Sequence, residues 1–429
     1  MPLLATEVFT PNDYPKYTYV ERGGQKLEQL LADALQTPKA VVSISGPSKS
    51  GKTVLVERIV GNDNIIVVSG AEIRTAEGLW DRALDWMGAP SSVTEQETKG
   101  TADQYGGQFS GGVGVPLVAR ADAQANMATT DTRSNSTATV RGRGGLAQVA
   151  KEIADSEFVL LVDDFHYMDR EIQAEAAKQI KAAAERGIKI CVASVPHRSD
   201  DVVRSNPELR GRTSNIDTTF WTPAELKEIA IRGFARLNAE IADEDALRFA
   251  NESCGSPQLM QAICLQACRL LNLREESPKL IKLVVPATVA RTIFEVTSLQ
   301  SDYSSLVGRM HQGPKIRGVE RKTFKLHDGS MGDVYRCVLL AIAEDPPRMG
   351  LPYQELMARI ERVCTADSPV GSSVKEACKQ IRDFALAMYP NQRIIDFDDE
   401  AATDTLSIVD PYFLFYLRSS TKLEALGKN

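Results

Sequence analysis

The chain has 429 residues and 47.0 kDa, with 50 Lys and Arg against 57 Asp and Glu. At about 150 residues per domain, three domains are the starting expectation. Hydrophobic residues at 43% and charged residues at 25% exclude wholesale disorder, and a net charge of -7 argues against a protein that coats nucleic acid through bulk charge. Aromatics at 6% are too sparse for base-stacking platforms to be the main theme.

No run of about 18 apolar residues is present, so no membrane span is expected. The first residues, MPLLATEVFTPNDYPKY, lack the basic flank and long apolar core of a secretory signal. The seven cysteines include no CxxC pair. Cys264 and Cys268, four apart, suit neighbours on one helix face better than a zinc site. None of the four histidines stands at a metal-ligand spacing from them. A reduced, cytoplasmic compartment is the expectation.

In chain order, the first strong signal is at 39–53. An apolar run, Ala40 to Ile44, leads into Gly46-Pro47-Ser48-Lys49-Ser50-Gly51-Lys52-Thr53, followed by Val54. This fits G-x-x-x-x-G-K-[ST] with a strand before it and a helix after. The glycines let backbone N–H groups curl round a β-phosphate, and the helix N-terminus adds partial positive charge. Lys52 reaches the β- and γ-phosphates, and the Thr53 hydroxyl can ligate Mg²⁺. The competing reading is a glycine-rich turn with a solvated lysine.

Ile65–Ser69 reads as a second strand. Residues 157–164 then supply a buried strand ending in Asp163-Asp164. Its five consecutive apolar residues suit a central parallel strand. Asp163 is expected to hold Mg²⁺ and Asp164 to polarise the attacking water. A helical stretch, Glu171–Glu185, precedes a strand at Ile188–Ser194. Ser194 at its tip is expected to sense the γ-phosphate, with His197 and Arg198 just after; a plain loop serine is the alternative. Asn215–Phe220 reads as a fifth strand. The alternation points to an α/β fold, a parallel sheet with helices on both faces.

These motifs resemble the AAA+ and STAND branch of P-loop ATPases, nearest to the archaeal-ATPase and origin-recognition group with a C-terminal winged helix. The resemblance covers 17–90 and 150–300 well and the C-terminus in pattern only. Tyr19-Val20-Glu21-Arg22, then Glu28, is similar to the entry segment that lies near the adenine. Asp163-Asp164 is similar to the STAND form of the acid strand. Arg210 and Arg212 precede the last strand, where AAA+ rings place an arginine finger; a solvated loop is the other reading. Thr222-Pro-Ala-Glu225 opens a lid-like region with Thr at N-cap, Pro at N1 and Glu at N3. Gly255-Ser256-Pro257 resembles the Gly-x-Pro of STAND lids, where the proline packs near the base, and departs from the Gly-x-Arg of AAA+ lids. A plain helix-to-helix turn is the alternative there.

The domains read as a P-loop core at 1–221 carrying an insertion at 91–150, a helical lid at 222–300, a basic linker at 301–332 and a winged-helix-like domain at 333–429. Six basic residues against Glu320 give 309–325 a local charge of +5, able to grip phosphates or to stay solvated. Beyond it, helices are expected at Val334–Ala343, Tyr353–Val363 and Ser373–Met388, with strands at Arg393–Phe397 and Thr405–Val409. Lys375, Lys379 and Arg382 fall along one side of the third helix. The wing, with Asp398, Asp399, Glu400 and Asp404, is acidic, and 333–429 sums to -4. Packing or protein contact is therefore weighed above DNA reading.

Within the insertion, 113–127 and 130–140 alternate with period two. A protruding hairpin turning near 127–133 is one reading, joining subunits or touching DNA or a partner. Disorder and a short alanine-rich helix at 117–128 are the others. The alanine face is weakly apolar for a membrane hairpin.

The leading functional expectation is an ATP- and Mg²⁺-dependent switch that oligomerises and hydrolyses ATP through Lys52, Asp164, Ser194 and Arg212, the last acting in trans. Arg22 and Pro257 join the nucleotide contacts. A separate effector protein is the expected partner, and a bacterial defence or signalling role is implied only by the resemblance. Alternatives are a DNA-handling initiator or transposition-type ATPase, and a scaffold held together by bound nucleotide.

Overall fold

The computed structural model describes residues 2–22, 24–90, 92–98, 136–195, 201–315, 318, 320–390, 392–398 and 404–428. Five parallel strands form the central sheet: β1 Val41–Ser45, β2 Ile65–Ser69, β3 Val159–Asp163, β4 Lys189–Ser194 and β5 Thr213–Asp217. Their order is β2-β3-β4-β1-β5. Alternate side chains leave the sheet on opposite faces. Val41, Val68, Leu160, Val162, Ile190 and Val192 pack under helices Ala76–Trp86, Gly145–Ile153 and Arg170–Glu185. Val42, Ile44, Val159, Leu161, Ala193 and Ile216 face helices Leu27–Gln36 and Lys52–Val60. Burial on both faces explains the unbroken apolar runs, each fully buried Val, Leu or Ile contributing about 1.5–3 kcal/mol.

Pairing brings the C-terminal ends of the strands level. Ser45 stands opposite Ser194 on one side and Asp217 on the other, and Ser69 stands opposite Asp163. Strand β4 separates the phosphate-loop strand β1 from the acid strand β3, so Ser194 ends between them. The expected fifth strand at 215–220 starts and ends earlier, at Thr213–Asp217; the residues beyond Asp217 turn away into the lid.

The lid comprises helices Pro223–Arg236, Asp243–Glu252, Pro257–Leu270 and Ala287–Ser298, with a parallel strand pair Ala239–Ile241 and Ile281–Leu283. Its first helix starts as the sequence predicts. Glu225 donates its backbone N–H to the Thr222 hydroxyl (3.3 Å), and its carboxylate accepts from the Thr222 N–H (2.8 Å). The N-terminal segment packs on this lid rather than on the sheet: Phe9 meets Phe234 edge to face at 5.1 Å, and Val8 and Val20 share the lid's core.

The C-terminal domain is built from helices Val334–Ala343, Tyr353–Val363 and Gly371–Met388 and a three-stranded antiparallel sheet. In that sheet, Thr405–Ile408 lies between Gly350–Pro352 and Ile395–Asp398. The Gly350–Pro352 strand was not expected; its one proline, Pro352, and three-residue length hide it. A further helix, Pro411–Ser419, packs against the lid through Phe249, Phe294 and Phe415, with ring centroids 5.8 and 6.3 Å apart. Arg418 adds an ion pair to Glu252 (2.7 Å). Lid and C-terminal domain therefore share one core.

The linker is more ordered than its sequence suggests. Residues Ser304–Gln312 form a helix, and Phe324–Lys325 pairs with Met331–Gly332. Arg309 lies over the Phe384 ring at 4.1 Å, and Arg321 is bonded to Asp333 and to the carbonyls of Gln312 and Pro314. In the insertion, Ser92–Thr98 pairs antiparallel with Ser136–Gly142. The second strand overlaps the alternating run at 130–140. Its partner comes from before the run at 113–127, and 99–135 lies outside the described residues.

Candidate nucleotide site

The loop from Gly46 to Gly51 turns from β1 into helix Lys52–Val60. A Cβ on Gly46 would fall 1.7 Å from Thr218 Oγ1, so only glycine fits there. Its N–H donates to the Ser194 carbonyl (3.1 Å), tying the loop to the tip of β4. Gly51 turns with φ 90°, where a side chain is disfavoured, and starts the helix. Pro47, Ser48 and Ser50 complete the turn, and Val54 lies in the first helical turn.

Lys52 is 8% exposed, and its Nζ donates to the Gly46 and Pro47 carbonyls (both 2.9 Å). Burial lowers its pKa, while Asp163 and Asp164 act to raise it. Its ammonium is thus held over the loop, bonded to carbonyls that a phosphate oxygen would replace. Thr53 Oγ1 donates to Asp163 Oδ2 at 2.8 Å. A hydroxyl and a carboxylate meeting at the end of β3 form an all-oxygen donor pair, which suits Mg²⁺.

Asp164 follows β3 with φ 54° and donates its N–H to Asp163 Oδ1 (2.9 Å). Burial first, then the charge of Asp163, raises its carboxyl to about 6, with Lys52 opposing. Ser194 is 3% exposed, and its Oγ is buried with no hydrogen-bond partner. The sheet thus assembles Lys52, Thr53, Asp163, Asp164 and Ser194 at the C-terminal ends of its inner strands. Arg212 lies just before β5, at the N-terminal end of that strand, and pairs with Glu185 (2.5 Å); Arg210 is also exposed. His197 and Arg198 lie outside the described residues.

Arg22 is buried and lines the same cleft as the phosphate loop. It donates to Glu225 Oε1 (3.1 Å), the Thr219 carbonyl and hydroxyl (both 3.0 Å) and the Phe220 carbonyl (3.3 Å), and lies 5.1 Å from the Trp221 ring. It clamps the hinge between sheet and lid. Pro257 packs on the loop, 3.9 Å from a Cβ built on Gly51. Beside it, Ser256 Oγ donates to the Lys49 carbonyl (3.3 Å), and Trp221 Nε1 donates to the Ser50 carbonyl (2.9 Å). The cleft between loop, lid and N-terminal segment has a cavity of about 650 Å³, within the range of small-molecule sites.

The C-terminal domain also reaches the loop. Lys49 Nζ pairs with Asp410 Oδ1 (3.1 Å) and sits 4.1 Å from the Tyr412 ring. Asp410 is 1% exposed and accepts from Tyr303 Oη (2.7 Å), Gln392 Nε2 (2.6 Å) and the Tyr412 N–H (2.9 Å), capping helix Pro411–Ser419. Ser48 and Asp164 face Gln392, Arg393 and Val409 across a second cavity of about 110 Å³. Sequence reading missed Asp410, Trp221 and Thr218, none of which carries a local motif, and gave no role to Ser256 inside the Gly255–Pro257 turn. The one available signal was Asp410-Pro411 ahead of an apolar run, a helix start.

The basic side chains set aside for DNA are engaged internally. Lys375 pairs with Asp404 of the wing, and Arg382 bonds Asp383 and the Phe397 carbonyl. Among the described residues there is no metal-binding cluster of His, Cys, Asp and Glu, and no helix is long and apolar enough to cross a membrane.

No family model and no curated protein matches the chain. Among solved structures it is similar to Cdc6p from Pyrobaculum aerophilum, at 13% identity and TM-score 0.43 over 99% of each chain. It is similar to the ORC2 protein of Aeropyrum pernix, at 12% and 0.46 over 99% of each chain. It is also similar to the RuvB Holliday junction branch migration motor of Thermotoga maritima, at 16% and 0.39, covering 69% of this chain and 79% of that one. These overall likenesses are loose, and the assignment rests on the chain's own strand order, phosphate loop and acid strand. By these features the chain has the P-loop NTPase fold, a parallel α/β sheet with a helical lid.

Proposed function

We propose that the chain binds ATP with Mg²⁺ in the cleft between sheet and lid, hydrolyses it slowly, and works as a switch that transmits nucleotide state to its C-terminal domain. The observation that carries the reading is that two lysines of one phosphate loop serve two parts of the molecule. Lys52 is turned over the loop, and Lys49 is bonded to Asp410.

On binding, the loop N–H groups and Lys52 take the β- and γ-phosphates, Lys52 exchanging two carbonyl partners for phosphate oxygens. Thr53 and Asp163 would hold the Mg²⁺, which supplies charge neutralisation at the phosphates. Asp164 orients the attacking water and must be ionised to do so. The Ser194 hydroxyl, buried without a partner, is placed to bond the γ-phosphate or that water. Added negative charge near Lys49 competes with Asp410 for its ammonium and loosens the C-terminal domain.

Arg212 belongs to another copy's site in this reading, because its own site lies at the opposite ends of the strands. The chain would then turn over ATP only as an oligomer, and an effector would read the released domain.

Calorimetry with MgATP, paired with phosphate release, tests the proposal. Wild type binds and turns over, Lys52→Ala does not bind, and Asp164→Asn binds without turnover. Wild-type affinity in Lys52→Ala contradicts the site. Binding without turnover in wild type leaves a nucleotide-stabilised scaffold.

A further inference from the structure

The phosphate groups of the cleft leave its far wall without a role, and we propose that Gln261 reads the nucleotide base there, selecting a 6-aminopurine over a 6-oxopurine. The inference rests on the nucleotide reading above. Phosphates are tied to Lys52 and the loop, so the base extends toward the wall made by the N-terminal segment and the lid. Pro11, Tyr14, Pro15, Val20 and Ile229 line that wall and offer a largely apolar slot for a planar ring.

Gln261 lies on lid helix Pro257–Leu270, lines the same cavity and is 4% exposed. Its amide orientation follows from its neighbours. The Thr18 hydroxyl is directed at the Val8 carbonyl (3.5 Å) and therefore accepts from Gln261 Nε2 (2.5 Å). That assigns the nitrogen to Thr18 and turns Oε1 away from it. Gln261 Oε1 is buried and has no hydrogen-bond partner.

A buried amide oxygen left unpaired is costly, and a ligand N–H relieves the cost. The 6-amino group of adenine is a donor and supplies it. The 6-oxygen of guanine or hypoxanthine is an acceptor and would face another acceptor. The neighbouring amides differ, because Gln258 Nε2 already donates to Asn12 Oδ1 (3.1 Å). Only the Gln261 amide therefore pairs a bonded nitrogen with an orphaned oxygen on this wall among the described residues.

The test is competition of ATP, GTP and ITP against a fluorescent ATP analogue, with Mg²⁺ present, on the full chain. ITP differs from ATP only at the ring edge that Gln261 faces. Wild type is expected to bind ATP at least about tenfold more tightly than ITP or GTP. Gln261→Met, similar in length without the amide, is expected to bring the ATP and ITP affinities within about twofold. Gln261→Glu keeps an oxygen and is expected to keep the preference.

Inorganic tripolyphosphate serves as the folding check, because its affinity should not change in Gln261→Met. If it does change, Gln261→Glu decides alone. Equal wild-type affinity for ATP and ITP overturns the inference, as does full discrimination in Gln261→Met. A wild type that binds no nucleotide overturns the site reading and this inference together. A wild type that binds all three equally, with binding lost in Lys52→Ala, overturns the inference alone.

Discussion

The two halves of the nucleotide cleft are built on different principles. The sheet half is made of short contiguous segments, Gly46–Thr53 and Asp163–Asp164, brought level by strand pairing with Ser45 opposite Ser194. The docked half is made of single side chains hundreds of positions apart, such as Arg22 on Thr219 and Lys49 on Asp410. Under the proposed function the first half would do chemistry, and the second would set when the loop is open to a ligand. Backbone geometry dictates the first half locally, whereas only the packed lid and C-terminal domain create the second.

If the division holds, substitutions in the sheet half act on turnover and binding, and those in the docked half act on domain coupling. The largest effect is expected from Asp164→Asn, with phosphate release falling about 10²- to 10⁴-fold and ATP affinity nearly kept. Its pH profile sharpens the point. The folded carboxyl ionises at about 6 instead of near 4, so turnover should rise as pH climbs through 6. Stability runs the other way. The raised pKa contributes stability that is present below about pH 4 and lost as pH rises through 6, and Asp164→Asn removes that slope. Thermal melts from pH 4 to 7 check it.

Next is Lys52→Ala, expected to weaken ATP binding at least about 100-fold by calorimetry, because a charge-assisted contact and its loop partner are both lost. In the docked half, Arg22→Ala removes four partly buried hydrogen bonds and should cost about 2 kcal/mol in denaturant unfolding, with the lid loosening first. Smallest is Arg212→Ala. Its exposed pair with Glu185 is worth at most about 1 kcal/mol. A large fall in turnover with unchanged stability would mark it as acting on a neighbouring copy.

The sequence was legible where chemistry demands a fixed spacing. The phosphate loop, the acid strand, the Thr222–Glu225 cap and the helices at Val334–Ala343 and Tyr353–Val363 stand where the residues predict. Ser194 was singled out as the polar residue at the tip of strand β4, and only the strand order puts that tip between the loop and the acid strand. Arg22, read as a nucleotide contact, lines the cleft, and its guanidinium also bonds the hinge, which no local pattern reveals. Asp410 caps a helix, a role its Asp-Pro step could have signalled, but its other partner, Lys49, lies 361 residues away. The strand Gly350–Pro352 escaped because a proline within it masks a three-residue element. Long-range partners are set by packing, and sequence periodicity does not encode them.

The most direct measurement is the ATP affinity of a double-mutant cycle at Lys49 and Asp410, by calorimetry with Mg²⁺ present. If Asp410 and the triphosphate compete for Lys49, Asp410→Asn tightens ATP binding about fivefold or more. The gain disappears when Lys49 is already Met. An ATP affinity that Asp410→Asn leaves unchanged or weakens, or an equal gain in the Lys49→Met background, would contradict the coupling.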